Sequence, residues 1–428
     1  MNTLNSFMKK NQKWINAAIL ALLMFICLGF CSSNKSLYLS AITDALNVKR
    51  SLFSLSTSCR YIATAAINIF FGRLVLKFGT KKLMLAGICS LIISMILNSI
   101  AASMPLFFVS EIFAGIGFSW SGTTIVGCVV NRWFDNNRGK INGAILCCNG
   151  FGGAVAAQIV SPLIYNEDNI FGYRDAYRLI TVILAVLFIV VLIAFREKGE
   201  DGPKYTSIPR KKSGQGQRWS GISYTDAKKR PYFYGAALCI FLVGMILQGS
   251  SGIFSAQMLD CGLSTSFVAS TASLSSLLLA VSKFMTGFLY DKFGLRVTIT
   301  ISCASAILQM FLLAILSPTT IGMIIGVAAT VFQAIALPLE TVMLPIYAND
   351  FFGDKDYDRI MSLFVSFNML GYACGAPIFN LGYDIAGSYK SVLIITGFLM
   401  IATVILLQFV ISAAHKVRKE IEDAEIQE

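Results

Sequence analysis

Lys35, Arg60 and Lys283 are the residues of this 428-residue chain that most need a chemical reason, because each lies inside a long apolar run. A charge placed at the centre of a bilayer costs roughly 2.5–3.5 kcal/mol on insertion scales. Such a cation has two uses: it pairs with an acid, or it draws an anion out of water. Glu111 and Glu340 lie in comparable runs, and each is either a proton carrier or a partner for a base. A guanidinium keeps its proton in a protein, so Arg60 needs an anion, a ring of carbonyls or water. Asp44 and Glu111 are its candidate protein partners, and contact with a bound anion is the alternative. Nothing equips the chain for covalent chemistry. The single histidine, His415, stands near the end of the last apolar run, and there is no phosphate-cradling glycine loop, metal-ligand spacing or serine elbow. No enzymatic activity, cofactor or metal is expected.

The elements that would carry these residues follow from composition. Hydrophobic residues make up 56% of the chain and charged residues 14%, too little polar surface to cover a water-soluble globule. Apolar runs of about 20 residues, the length that crosses a hydrocarbon core, recur twelve times. They lie near 15–37, 51–71, 82–101, 106–130, 140–164, 176–195, 233–256, 265–287, 297–316, 320–347, 359–381 and 389–413. Threading these spans alternately puts 27 of the 35 Lys and Arg on one side and five on the other. That bias predicts both ends in the cytoplasm of a cell's plasma membrane. The three left inside spans are Lys35, Arg60 and Lys283. A long first span followed by further spans argues against a cleaved leader.

Polar interruptions locate a water-lined interior. The first span ends in GFCSSNKSLYL, too polar to face lipid, so Lys35 either lines a cavity or snorkels to the head groups. The fourth span carries Glu111 and a small-residue face with Trp120, and the fifth carries NGFGG, whose Gly150, Gly152 and Gly153 suit close helix packing. Arg132, Arg138 and Lys140 form a cationic collar before it. Residues 197–231 form a hydrophilic linker that reads as a solvated connection. In the second half Gln248, Lys283, Gln333, Glu340 and Asn368 are the polar residues within spans, and Glu340 is a proton carrier or the partner of an inner-loop base. With no acid elsewhere in its own span, Lys283 reads as a cation for an anion, although an ion pair with Glu340 is the alternative. An anion held between Lys35 and Lys283 would offset their repulsion and let two bundles close around it.

The chain also repeats itself. GFLYDKFGLR from Gly287 and GRLVLKFGTK from Gly72 share a glycine, a leucine and Lys-Phe-Gly, 215 residues apart. Half the chain separates them, the mark of two related bundles. Five parts are expected: a tail at 1–13, a six-helix bundle at 14–196, the linker at 197–231, a second bundle at 232–413 and a tail at 414–428.

These turns resemble the signature inner-loop motif of the major facilitator superfamily, Gly-x-Leu-Ala-Asp-Arg-x-Gly-Arg-Lys. The resemblance implies an all-α membrane protein of 12 transmembrane helices in two pseudo-symmetric six-helix bundles. It makes Gly72, Arg73, Gly79, Lys81, Gly287, Asp291, Gly294 and Arg296 gating residues, although Leu76 stands where the first copy should have an acid. Within the superfamily the chain is most similar to the monocarboxylate transporters and oxalate:formate antiporters. GFCSSNKSLYL resembles the first-helix stretch where monocarboxylate carriers keep a lysine, here Lys35. Lys283 falls where both groups place a carboxylate-binding arginine, four residues before the motif glycine. Leu279 replaces the acid that proton-coupled members keep one turn earlier, and the eleventh helix offers Asn368 rather than the lysine of the oxalate carrier.

The resemblance and the residues together imply secondary active transport of a small, monocarboxylate-like organic anion by alternating access, with proton symport or anion exchange. Lys35, Lys283, Arg60, Trp120 and Asn368 are the expected substrate contacts, and Glu111 and Glu340 the proton-coupling candidates. The partners would be the anion, protons or a counter-anion, and the bilayer, without nucleic acid, for a monomer. An efflux carrier for larger amphipathic acids or drugs is the alternative, and a non-transporting anion sensor a more distant one.

Overall fold

The computed structural model describes residues 2–134, 138–166, 169–197, 221–353 and 355–427, which are helical with no strand among them. Among the described residues ten helices are long and apolar enough to cross a membrane. Two of them, Arg50–Ile100 and Thr265–Ala314, run 51 and 50 residues, twice the length a bilayer needs. Each is divided by one glycine with non-helical backbone, Gly79 and Gly294, so the chain makes twelve passes. Large apolar side chains stand bare on the outer faces, Ile69 at 78% and Ile385 at 79%. In lipid, whose tails match them, that exposure carries no penalty.

The passes form two compact units. The first comprises Met1–Pro209 with Ser264–Ala280, and the second Arg210–Leu263 with Val281–Glu428. The N-terminal part of the eighth span therefore packs in the first unit, where the Ser273 hydroxyl donates to the Ala154 carbonyl at 2.8 Å and Gln158 donates to Ser273 at 3.0 Å. Most of the expected linker, and the side chains of Arg138 and Lys140, lie outside the described residues. Its last ten residues dock on the second unit. Ile222 donates its backbone N–H to the Phe352 carbonyl at 3.0 Å, Tyr224 donates to Asp356 at 2.6 Å, and the guanidinium of Arg359 lies 4.1 Å from the Tyr224 ring centroid. Ser223 caps the short helix Tyr224–Ala227 through Asp226, whose carboxyl is held below its usual range by that hydroxyl and by Lys229.

The repeated turns are built alike and held differently. Gly79 (φ 81°, ψ 169°) and Gly294 (φ 76°, ψ 180°) occupy backbone that an L side chain avoids. At the first turn Glu197 supplies the acid absent from position 76. Its carboxylate accepts from Thr80 Oγ1 at 2.9 Å and from the Lys81 N–H at 2.8 Å, at the start of the next helix, where negative charge is favoured. At the second turn Arg296 instead donates to Ser412 at 2.9 Å.

A methyl group at Gly79 would lie 2.6 Å from a Glu197 carboxylate oxygen, one at Gly294 meets nothing within 4 Å, and Gly72 is unhindered. Thermal unfolding should therefore rank the alanine variants. Gly72→Ala should be near neutral, Gly294→Ala should lose about 1–3 kcal/mol of backbone strain, and Gly79→Ala should lose more through the displaced Glu197. Equal losses at 79 and 294 would mean that Glu197 is not holding the turn.

Candidate functional site

The site in the first unit begins with a break in the first span. Helix Asn2–Leu23 widens into a π-helical segment, Met24–Phe30, then opens at residues 31–34 and resumes as Lys35–Leu46. Serine and asparagine side chains compete for backbone partners, and these do so here. The Ser33 hydroxyl donates to the Leu28 carbonyl and to Asn149, both at 3.1 Å, and Asn34 Nδ2 donates to the Gly153 carbonyl at 2.9 Å. The NGFGG patch of the fifth span makes this possible. A Cβ at Gly152 would sit 2.0 Å from the Phe25 carbonyl oxygen, so only glycine lets the two backbones meet.

The break makes Lys35 the first residue of a helix inside the protein. Its ammonium donates to Glu111 Oε1, and Arg60 Nε lies 3.8 Å from Glu111 Oε2. The Glu111 and Arg60 side chains are 4% and 7% exposed and Lys35 18%. Arg60 also donates to the Tyr61 hydroxyl at 3.2 Å, and its guanidinium lies 4.9 Å from the Tyr61 ring and 5.5 Å from the Phe118 ring. Three passes thus bring together two cations and one carboxylate, leaving one positive charge in excess.

A cavity of ≈ 350 Å³, counted with its mouth, adjoins this cluster, and only ≈ 10 Å³ of it admits a water-sized group. Tyr38 and Tyr177, stacked with ring centroids 4.6 Å apart, form one wall, and Asn98 and Phe118 line it too. Three buried oxygens of its lining residues have no hydrogen-bond partner: the Tyr38 hydroxyl, Asn98 Oδ1 and Glu111 Oε2.

The second unit places Glu340 in a short helix, Pro338–Thr341, where the tenth span is broken between Thr320–Ala336 and Met343–Phe352. Glu340 is buried, bonded by Tyr372 and acted on electrostatically by Lys283. The base that acts on it is the intramembrane Lys283, the ion-pair alternative for that lysine. A second small cavity, ≈ 10 Å³, is lined by Glu340, Asn368 and Tyr347, while Lys283 stands outside that wall, half-buried.

Other expected residues are dispersed. Trp120 is not among the residues lining the first cavity; it packs against Gly87 with its indole Nε1 buried and unpartnered. Gly72, Arg73 and Arg296 are exposed and Gly287 has open space around it. Asp291 and Gly294 line an open ≈ 810 Å³ recess, beside Asp350, which His415 approaches at 2.7 Å and Arg418 at 3.8 Å. Each of the three intramembrane cations has an acid acting on it. Glu111 answers Lys35 and Arg60, and Lys283 acts on Glu340 electrostatically. Tyr38, Tyr177, Asn98 and Glu197 went unmarked in the sequence, and only the polarity of GFCSSNKSLYL pointed toward Tyr38.

A twelve-pass fold with broken spans around buried charges is the architecture of secondary transporters. The family model of the Major Facilitator Superfamily matches residues 20–341, and the chain belongs to that family. It is 21% identical over 277 residues to the sialic acid transporter NanX of Escherichia coli (strain K12), covering 61% of this chain and 62% of that transporter, less than two thirds of its length. It is 22% identical over 391 residues to the oxalate:formate antiporter of Oxalobacter formigenes, covering 88% of this chain and 87% of the antiporter. Among solved structures, the nucleoside transporter NupG shares its fold with a TM-score of 0.71 at 16% identity, covering 95% of this chain and 99% of that one.

Removing one member of a buried ion cluster strands the others, at about 3–5 kcal/mol. Glu111→Ala should lower unfolding stability by that order, and adding Lys35→Met should recover part of the loss. Additive losses in the double variant would mean that the two side chains do not depend on each other.

Proposed function

We propose that the protein is a secondary transporter of a small organic anion and that Glu111 couples its movement to protons. The observation that supports this most is the buried Lys35–Glu111–Arg60 cluster with its single excess positive charge. One carboxylate would neutralise that excess. With Glu111 ionised, Lys35 is already engaged; a proton on Glu111 removes its charge and frees the ammonium for a substrate carboxylate. Proton and anion then load together and leave the net charge of the site unchanged, so loading adds no charge that must be enclosed away from water. Lys283 is the proposed cation of the second unit, with Glu340 as its internal counter-charge. The distribution of Lys and Arg supports a plasma-membrane protein with both ends cytoplasmic.

Anion exchange is a second reading, favoured by the similarity to an antiporter over most of both chains. Exchange needs no proton: an incoming anion displaces an outgoing one while Glu111 stays charged.

Uptake of radiolabelled lactate, pyruvate, formate and oxalate into proteoliposomes separates these readings. Symport predicts uptake that rises as the loading side is acidified, and Glu111→Gln should abolish that response. Lys35→Ala and Lys283→Ala should each reduce uptake about tenfold or more, the scale of a lost charged hydrogen bond. Uptake that depends only on a trapped internal anion would establish exchange. If none of the acids moves, or both lysine variants match the wild type, the proposal is wrong.

A further inference from the structure

The cluster accounts for a carboxylate but leaves the polar atoms beside it unexplained. Tyr38 is 3% exposed and Asn98 2%, yet the Tyr38 hydroxyl and Asn98 Oδ1 have no hydrogen-bond partner within the protein. Buried polar groups are almost always hydrogen-bonded, and leaving one unpaired is costly. Both residues line the same cavity as Lys35 and Arg60, and its free interior of ≈ 10 Å³ takes one oxygen-sized group.

We infer that Tyr38 and Asn98 form a hydroxyl subsite next to the carboxylate position, so that the protein selects organic acids bearing a hydroxyl group close to the carboxylate. This deepens the anion-transport reading and rests on it. A phenol donates and accepts, whereas an amide oxygen only accepts. An alcohol satisfies both at once, donating to Asn98 Oδ1 and accepting from the Tyr38 hydroxyl. A keto oxygen accepts from Tyr38 and leaves Asn98 Oδ1 unpaired. An unsubstituted acid leaves both unpaired and pushes out whatever water served them. The preference is therefore hydroxy acid over keto acid over plain acid. The stack of Tyr38 on Tyr177, with planes 20° apart, fixes the phenol in place, so the hydroxyl cannot turn away to another partner at low cost.

Lactate, pyruvate and propionate share three carbons and one carboxylate and differ in the group on the second carbon. Their dissociation constants for the purified full-length protein, measured by calorimetry in detergent at one pH, test the ranking. Lactate is expected to bind at least about tenfold more tightly than propionate, with pyruvate between them. Tyr38→Phe keeps the ring and should bring lactate and propionate to within about twofold, and Asn98→Leu should draw lactate down to the level of pyruvate. Because each ratio is read within one variant, a smaller folded fraction does not change it. If the wild type binds all three acids equally, or Tyr38→Phe weakens all three alike, the hydroxyl subsite is refuted while anion binding stands, and the unpaired oxygens serve an ordered water. If none of the three binds and Lys35→Ala changes nothing, both the subsite and the anion reading fail.

Discussion

The charged centre of the first unit turns on how Lys35 is accommodated inside the protein. An ammonium leaving water loses hydration worth several kcal/mol even after relaxation, and only a close opposite charge with matching hydrogen bonds repays it. Glu111 meets that need, but a straight first helix would not present Lys35 at the start of a helical turn. The break at residues 31–34 does, and the break exists because Ser33 and Asn34 find partners on the fifth span. The glycines at 152 and 153 in turn allow the two backbones to come that close. Charge, break and glycine patch form one chain of dependence, in which no member is free to change alone.

The two units repeat a backbone solution and diverge in charge. Gly79 and Gly294 are 215 residues apart with nearly the same φ and ψ, since reversing one long helix into the next within a single residue needs backbone that only glycine adopts cheaply. The charges follow no such rule. Adding 215 to Lys35, Arg60 and Glu111 gives Ser250, Ser275 and Gly326, and subtracting it from Lys283 and Glu340 gives Asn68 and Ile125. Glu197, which holds the first turn, corresponds to Ser412, which receives Arg296 at the second. Steric demand is local and identical in both halves, whereas a buried charge answers to its own partners, so the two clusters were free to differ.

That distinction also explains what could be read from the sequence. Twelve spans, the paired turns and the importance of Lys35, Arg60 and Glu111 were legible because lipid allows few apolar lengths and tolerates few charges. The pairing within the cluster was not. Arg60 with Glu111 was open as one alternative, but the closer contact is Lys35 with Glu111, and it depends on a helix break whose geometry the string SSNKS does not specify. Glu197 was invisible because it sits among linker charges and acts on a turn 116 residues away from it. Tyr38, Tyr177 and Asn98 were missed for a simpler reason. A tyrosine in an apolar run looks the same whether its hydroxyl reaches a head group or is stranded in a cavity, and only burial without a partner tells the two apart.

Glu111 and the unpaired oxygens beside it bear on selectivity in opposite ways. Glu111 already places a carboxylate on Lys35, so the carboxylate of the proposed substrate would gain little that Glu111 does not supply, and charge alone would make a poor discriminator among acids. The Tyr38 hydroxyl and Asn98 Oδ1 have no such internal substitute. Whatever pairs with them gains hydrogen bonds that the empty site lacks, and an acid unable to do so must leave them unpaired in a space too small to admit both ligand and water. On the proposed reading, the charge cluster would decide whether an anion can enter and in which protonation state of Glu111, and the neutral oxygens which anion stays.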